Sequence, residues 1–328
     1  MLFRWLREDR PGEVWQRLFQ QSWPSYRAWF LREGDARRPS LEHCRRRLGE
    51  TMPELVGLWE RLVHLAGDDA QAARMLSLYR PTPYLAGCSQ AVWSRGEPFL
   101  VRNYDYRPAA CEGTFMHSTW AGTRVLAASD CLWGVLDGIN EHGLVVALAF
   151  GGRSVVGDGF GIPLMLRYVL ETCRTAPEAI AVLQRVPSHM AYNVSVLDET
   201  GANAVVYLSP DREPIVASTA VATNHQLGVE WSAYDQRTRS AERERFLTEE
   251  LDLPSHDAQS FTKLFLEPPL FATNYEQSFG TLYTAVYSPR RRSVVYLWRG
   301  ARVEQSLDDY REQDLVVPLV SSMPPSRC

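Results

Sequence analysis

Residues 84–106 read Tyr-Leu-Ala-Gly-Cys-Ser-Gln-Ala-Val-Trp-Ser-Arg-Gly-Glu-Pro-Phe-Leu-Val-Arg-Asn-Tyr-Asp-Tyr. Two apolar, β-prone runs flank a polar turn that contains glycine, which is the pattern of a β-hairpin. Side chains alternate between the two faces of a strand, so Arg102 and Tyr104 share one face while Asn103 and Asp105 share the other, unless the strand bulges near Asn103. The hairpin therefore brings a cation and a carboxylate close to Cys88, which starts the first strand.

Cys88 is the candidate nucleophile of this hairpin. Nearby positive charge favours a thiolate, so a cysteine beside Arg102 is a candidate for a low pKa. The hairpin contains no histidine, and the amide nitrogen of an internal cysteine cannot accept a proton at neutral pH. Cleavage of the Gly87–Cys88 bond would create an α-amine with a pKa of about 7.7–8.0, close to the roughly 8.5 of a thiol. That amine could then act as the base for its own side chain.

Gly87 suits such a cleavage, because glycine lets the backbone adopt the geometry that an attack by the adjacent side chain requires. Taken alone, Cys88 fits a structural role better than a catalytic one, since free cysteine is among the most buried residue types. Arg102 and Asp105 could likewise form a surface ion pair. It is the combination of these residues that favours a catalytic site.

Four segments extend this pattern along the chain: Gly87-Cys88-Ser89, Arg102-Asn103-Tyr104-Asp105-Tyr106, Asp137-Gly138-Ile139-Asn140-Glu141-His142-Gly143-Leu144 and Ala222-Thr223-Asn224-His225. In this order they resemble the penicillin acyltransferase-like hydrolases of the N-terminal-nucleophile superfamily. Choloylglycine hydrolases and acid ceramidase-like amidases are related families. The resemblance covers about residues 84–300.

The order of predicted elements is strands, two helices, strands, helices and strands again, which favours two stacked sheets flanked by helices. The resemblance implies the same α+β fold, a four-layer αββα sandwich. It also implies a helical pro-segment over residues 1–87 that lies outside the core, and a catalytic domain over residues 88–328. Apolar residues at helical spacing predict helices between Glu13 and Arg80. Residues 137–143 are predicted to form a turn, and the tail from Ser306 is predicted to be irregular.

The resemblance further implies roles for individual residues. Cys88 is the nucleophile, Asn224 binds the oxyanion with its side chain, Asp105 holds the α-ammonium and Arg102 favours the thiolate. The remaining candidates line the pocket or the oxyanion site: Asn140, whose backbone N–H is expected to bind the oxyanion, Asn193, Ser240 and Arg243. The activity implied is hydrolysis or acyl transfer at the linear amide bond of a small acylated substrate, for which acyl-CoA is one candidate donor.

Composition limits the other function classes. A net charge of -4 and a pI near 6.0 give no support to a nucleic-acid partner. The scattered histidines and cysteines predict no metal site, and no cofactor is expected. The chain has no long apolar run and no signal-peptide pattern at its start, so no membrane partner is expected and a cytoplasmic location is predicted. A homodimer is left open.

Two other functions are compatible with the same residues. A conventional thiol hydrolase would pair Cys88 with His117, His225 or another histidine and would need no cleavage. A non-catalytic binding protein would keep the sandwich and leave Cys88 unreactive. Activity without processing would indicate the first, and failure to react with a thiol-directed acyl probe would indicate the second.

Overall fold

The computed structural model describes residues 1–277 and 279–321. Before Cys88 the chain forms a strand and then a group of helices: β1 (Leu2–Glu8), α1 (Glu13–Phe30), α2 (Leu41–Thr51), α3 (Val56–Leu65) and α4 (Ala70–Leu76). The helices follow from the apolar spacing of the sequence. Ser40 and Asp69 cap the starts of α2 and α4, since each side-chain oxygen accepts a hydrogen bond from a backbone N–H of the first turn.

The hairpin and the central part of the chain supply most of the sheets. Their elements are β2 (Gly87–Trp93), β3 (Phe99–Tyr106), β4 (Thr114–Ser118), β5 (Val125–Asp130), β6 (Gly134–Asn140), β7 (Val145–Phe150), α5 (Ile162–Thr172), α6 (Ala176–Arg185), β8 (Tyr192–Leu197), β9 (Asn203–Ser209), β10 (Arg212–Ala217) and β11 (Val221–Ala222). The chain then continues with α7 (Ser232–Thr238), α8 (Ser240–Asp252), α9 (Ala258–Leu264), β12 (Thr273–Asn274), β13 (Phe279–Ser288), β14 (Ser293–Trp298), β15 (Ala301–Ser306) and β16 (Gln313–Val316).

Two sheets stack face to face. The first has the strand order β10-β9-β8-β7-β6-β5-β4-β1-β16, and the second has the order β11-β2-β3-β13-β14-β15, with β12 paired to β13. Helices α5 and α6 cover the outer face of the first sheet, and α8 and α9 cover that of the second. The predicted four-layer αββα sandwich is thus confirmed. None of the helices in the described residues is long and apolar enough to cross a membrane.

Strand β2 is buried on both faces, between the first sheet and the outer helices. Cys88 and Val92 point into the core between the sheets, whereas Ala91 and Trp93 pack against the outer helices. This is the alternation that a strand imposes on successive side chains. The thiol of Cys88 therefore faces the first sheet, not solvent.

The first strand was not predicted. Strand β1 pairs in parallel with β4 and antiparallel with β16, and its side chains Phe3 and Trp5 are fully buried. The expectation that the N-terminal segment lies wholly outside the core is therefore wrong, as is the expectation of an irregular tail from Ser306. Both strands find their partners at long range, which local sequence does not reveal. The division at residue 87 depends on cleavage and stays a prediction.

The predicted turn over residues 137–143 is shorter in the structure, because β6 continues to Asn140. Gly138 is a strand residue that allows close packing and does not mark a turn. A Cβ atom there would lie 2.6 Å from the Cβ of Ala127 and 2.9 Å from Cδ1 of Leu170. Helix α5 can approach the sheet closely at this point, and Asp137 becomes part of the buried strand.

Candidate active site

The register of the hairpin places the predicted residues around Cys88. Cys88 lies opposite Tyr104, Gly87 lies opposite Asp105, and Gln90 lies opposite Arg102. Arg102 reaches Cys88 on the inner face of the sheet: its Nη2 donates a hydrogen bond to Sγ over 3.2 Å. Asp105 points to the other face, as the strand alternation predicts.

The thiol of Cys88 is fully buried in the intact chain. Burial raises its pKa above the ordinary value, and the positive charge of Arg102 lowers it by less, so that the net direction is upward. The expected low pKa is therefore not found while Cys88 is internal. A base is needed to remove the proton.

Arg102 is itself held by Asp137, which was predicted to lie in a turn and was given no role of its own at the site. The carboxylate of Asp137 accepts hydrogen bonds from Nη1 of Arg102, from the hydroxyl of Tyr283 over 2.6 Å and from the hydroxyl of Tyr287 over 2.5 Å. The ion pair is fully buried. A carboxylate inside an otherwise apolar β-run was the signal that could have identified Asp137, since buried charges are normally paired.

Asn224 follows β11, and its side chain contacts the backbone before and after the Gly87–Cys88 bond, at Ala86 and at Cys88. Its Oδ1 accepts a hydrogen bond from the backbone N–H of Cys88 over 2.9 Å. Its Nδ2 donates to the carbonyl oxygen of Ala86 over 3.3 Å and to that of Phe150 over 3.1 Å. The side-chain amide is thereby fixed beside the candidate nucleophile.

Ser240 and Arg243 also lie at this site, at the start of α8. Arg243 donates from Nη1 to the carbonyl oxygen of Cys88 over 2.7 Å and from Nη2 to Oδ1 of Asn224 over 2.8 Å. Ser240 Oγ accepts the backbone N–H of Asn224 over 2.7 Å. Both residues position Asn224 and the backbone of Cys88.

The carboxylate of Asp105 is buried, and only one of its two oxygens accepts a hydrogen bond. Oδ1 accepts a hydrogen bond from Thr281 over 2.7 Å, while Oδ2 has no hydrogen-bond partner and lies 3.5 Å from Nη1 of Arg243. Burial raises the pKa of Asp105, and Arg243 and Thr281 act in the opposite direction. A buried acceptor without a donor is costly, so Oδ2 offers a place for a donor that the intact chain lacks.

Tyr234 in α7 is a second residue that the sequence did not reveal. Its hydroxyl donates to the carbonyl oxygen of Ala86 over 2.8 Å, so Tyr234 and Asn224 converge on one oxygen. Nothing in the local sequence marks this tyrosine, because α7 reaches the site only through the tertiary fold.

Two of the predicted asparagines do not contact Cys88. Asn193 donates from Nδ2 to the carbonyl oxygens of Thr223 and His225, so it braces the loop that carries Asn224.

Asn140 lies at the opposite end of the strands, and its prediction as an oxyanion residue is wrong. Its backbone N–H and its Oδ1 are engaged with Leu144, and its Nδ2 binds carbonyl oxygens at the end of α5. The residue stabilises a turn, because a short amide side chain readily bonds nearby backbone groups.

Neither histidine of the alternative mechanism reaches the thiol within the described residues. His225 contacts Ser240 and Glu244, and His117 contacts the carbonyl oxygen of Leu307. The hydrogen-bond partner of Cys88 Sγ is Arg102. In the described part of the chain, no group of three or more His, Cys, Asp or Glu side chains could hold a metal ion.

A cavity of about 420 Å³ opens next to Gly87. Its walls include six aromatic side chains: Trp29, Tyr84, Tyr106, Trp231, Tyr234 and Phe279. A volume of this size is typical of small-molecule sites.

Residues 93–302 match the sequence model of one protein family, the acyl-coenzyme A:6-aminopenicillanic acid acyl-transferases. The chain belongs to this family. The matched range includes Arg102, Asp105, Asn224 and Arg243, and it begins after Cys88.

Solved structures with a similar fold include the following three. The penicillin V acylase of Agrobacterium tumefaciens is 16% identical, with 70% of this chain and 91% of that chain covered and a TM-score of 0.49. The N-acylethanolamine-hydrolyzing acid amidase ortholog of Caenorhabditis elegans is 18% identical, with 71% and 100% covered and a TM-score of 0.48. A mutant conjugated bile acid hydrolase of Clostridium perfringens is 13% identical, with 73% and 100% covered and a TM-score of 0.46. No curated protein matches the chain.

Proposed function

We propose that this chain is a self-processing cysteine amidohydrolase or acyltransferase that cleaves the linear amide bond of a small acylated substrate. The observation that carries the proposal is the environment of the Cys88 nitrogen. Asn224 Oδ1 accepts its N–H, and Gly87 pairs across the hairpin with Asp105, whose Oδ2 lacks a donor. An α-ammonium formed at Cys88 would supply that donor.

Maturation begins when Sγ of Cys88 attacks the carbonyl carbon of Gly87. The thiol proton passes to the departing nitrogen as the C–N bond breaks, and the acyl group moves from nitrogen to sulfur. Water then hydrolyses the thioester and leaves a Gly87 carboxylate and a free Cys88 thiol and amine. The bond lies in a tight place: a Cβ atom on Gly87 would lie 2.4 Å from the ring of Phe279. Glycine is therefore the residue that fits before the nucleophile.

The bond is held on both sides during this step. Tyr234 and Asn224 bind the carbonyl oxygen of Ala86, and Arg243 binds that of Cys88. Such fixed donors supply the orientation that an attack by a neighbouring side chain needs.

In turnover the free α-amine of Cys88 accepts the thiol proton, and the thiolate attacks the carbonyl carbon of the substrate. Asp105 holds the ammonium, and Arg102 stabilises the thiolate. Departure of Ala86 frees the Nδ2 of Asn224 and the hydroxyl of Tyr234, which can then donate to the oxyanion. Each such donor is worth roughly 10²–10³ in rate. The leaving amine takes the proton, and water or a second amine resolves the acyl-enzyme.

The proposal is tested with a panel of acyl amides, acylated amino acids and small peptides. The processed protein is expected to turn over at least one class and to carry a transient acyl group on Cys88 in intact-mass spectra. Cys88→Ala is expected to show neither processing nor turnover. Turnover by Cys88→Ala would mean that the nucleophile is another residue.

A further inference from the structure

The cavity beside Gly87 carries charge of one sign. Among the described residues, its lining contains Arg32, Arg107 and Arg237 and no aspartate, glutamate or lysine. The whole chain, in contrast, has a net charge of -4. The three arginines come from separate parts of the fold, since Arg32 lies just after α1, Arg107 just after β3 and Arg237 in α7.

None of these arginines forms an ion pair with any residue in the described ranges. Arg237 lies over the ring of Phe279 and Arg107 over the ring of Tyr106, each at 6.0 Å from the ring centre. Stacking on an aromatic ring holds a guanidinium in place without neutralising its charge. Arg32 donates one hydrogen bond, to the carbonyl oxygen of Pro83.

Two acidic groups of a neighbouring cavity do not cancel this charge. Arg107 also lines a neighbouring cavity of about 330 Å³ that contains Glu112 and Asp130, but it forms an ion pair with neither. Glu112 is already engaged by the hydroxyl of Tyr26 and the backbone of Leu132. The guanidinium groups around the first cavity therefore remain available to a ligand.

We propose that this cavity selects acyl amides that carry a carboxylate, such as N-acyl amino acids, over neutral acyl amides. The inference rests on the function proposed above and names its substrate class. Guanidinium groups bind carboxylates with charge-assisted hydrogen bonds, and a cleft of one charge sign concentrates substrates of the opposite sign. The aromatic walls between the arginines suit the apolar acyl chain.

The test compares two substrates that differ in one group, N-lauroylglycine and N-lauroylglycinamide. The processed enzyme is expected to prefer the anionic substrate about tenfold in kcat/KM, mainly through KM, and the preference should fall as salt is added. Arg107→Gln and Arg237→Gln are each expected to lower the preference about fivefold, which corresponds to roughly 1 kcal/mol. Arg237→Lys keeps the positive charge and should therefore retain part of the preference for the anionic substrate.

Arg95→Gln is the matched control. Arg95 is an exposed arginine that stacks on Trp93 in the hairpin turn and lies outside the cavity. The Arg95→Gln variant loses the same charge as the cavity variants, and its preference for the anionic substrate should be unchanged. Equal turnover of both substrates, or a loss of preference in Arg95→Gln as large as in the cavity variants, would overturn the inference while the proposed function stands. A processed enzyme that cleaves neither these two substrates nor any other acyl amide would refute both.

Discussion

At the scale of single residues, the thiol of Cys88 experiences two opposing effects. Burial raises its pKa, and Arg102 lowers it by less. Because the thiolate is the attacking form, its fraction below this raised pKa increases with pH by up to about tenfold per unit. We therefore expect processing of the intact chain to accelerate from about pH 6 to about pH 9. Mass spectrometry after a pH jump measures the rate, and a rate that does not change over this range would contradict a rate-limiting attack by the thiolate.

Tyr234 offers a second test at this scale. Tyr234→Phe removes the 2.8 Å hydrogen bond to the carbonyl oxygen of Ala86 and leaves the weaker one from Asn224. We expect processing to slow about tenfold, the effect of one lost hydrogen bond of roughly 1.4 kcal/mol. The fraction of cleaved chain is followed over time after synthesis.

Tyr310→Phe is the control for this variant, because its hydroxyl also binds backbone carbonyl oxygens, those of Leu6 and Phe115, but at a distant place. An equal rate in Tyr234→Phe and the wild type would remove Tyr234 from the mechanism.

The site could be predicted from sequence as far as its residues follow local rules or family motifs. Strand alternation was enough to place Arg102 and Asp105 on opposite faces of β3. The roles of Asp137 and Tyr234 were missed because only tertiary packing brings these residues to Arg102 and Ala86. Asn140 was misplaced because an asparagine is equally suited to a turn, and here its side chain binds the backbone N–H of Leu144 in one.

At the scale of secondary structure, β1 shows where sequence reasoning fails. The two consecutive helices in the predicted order of elements are present as α5 and α6, because apolar periodicity is a local signal. Strand β1, in contrast, pairs with β4 and β16, which lie far away in sequence. The same holds for β16. Short strands that depend on distant partners carry little local signal.

The contribution of β1 to the core can be measured. Trp5 is fully buried and packs on Phe115 and Tyr296. Trp5→Ala is expected to lower the free energy of unfolding by about 3–5 kcal/mol, because it leaves a large cavity. Urea denaturation checks this, with Leu2→Ala as a control in the same strand, since Leu2 is 43% exposed. Losses of similar size in both variants would mean that burial of Trp5 is not the cause.

Across the entire fold, the parts of the chain before and after the Gly87–Cys88 bond are joined by more than that peptide bond. Strand β1 lies between β4 and β16, and the indole nitrogens of Trp15 and Trp133 bind backbone carbonyl oxygens of the opposite part, those of Leu132 and Leu76. We therefore expect the two fragments to remain associated after cleavage. They should elute together in size-exclusion chromatography without denaturant and separate with it. Separation under native conditions would show that these contacts are too weak.

The overall sandwich was predicted correctly because the order of strands and helices restricts the ways in which two sheets can be covered. The role of the N-terminal segment was not predicted correctly, because its strand β1 completes a sheet whose other strands come later in the chain.

We propose that the base for the thiol is an α-amine released by cleavage before Cys88. Intact-mass spectrometry of the purified protein under denaturing conditions tests it most directly. We predict two fragments, residues 1–87 and 88–328, whose masses sum to that of the chain plus one water, and Cys88→Ala should remain one chain. A wild-type protein that turns over acyl amides with the Gly87–Cys88 bond intact would contradict the claim.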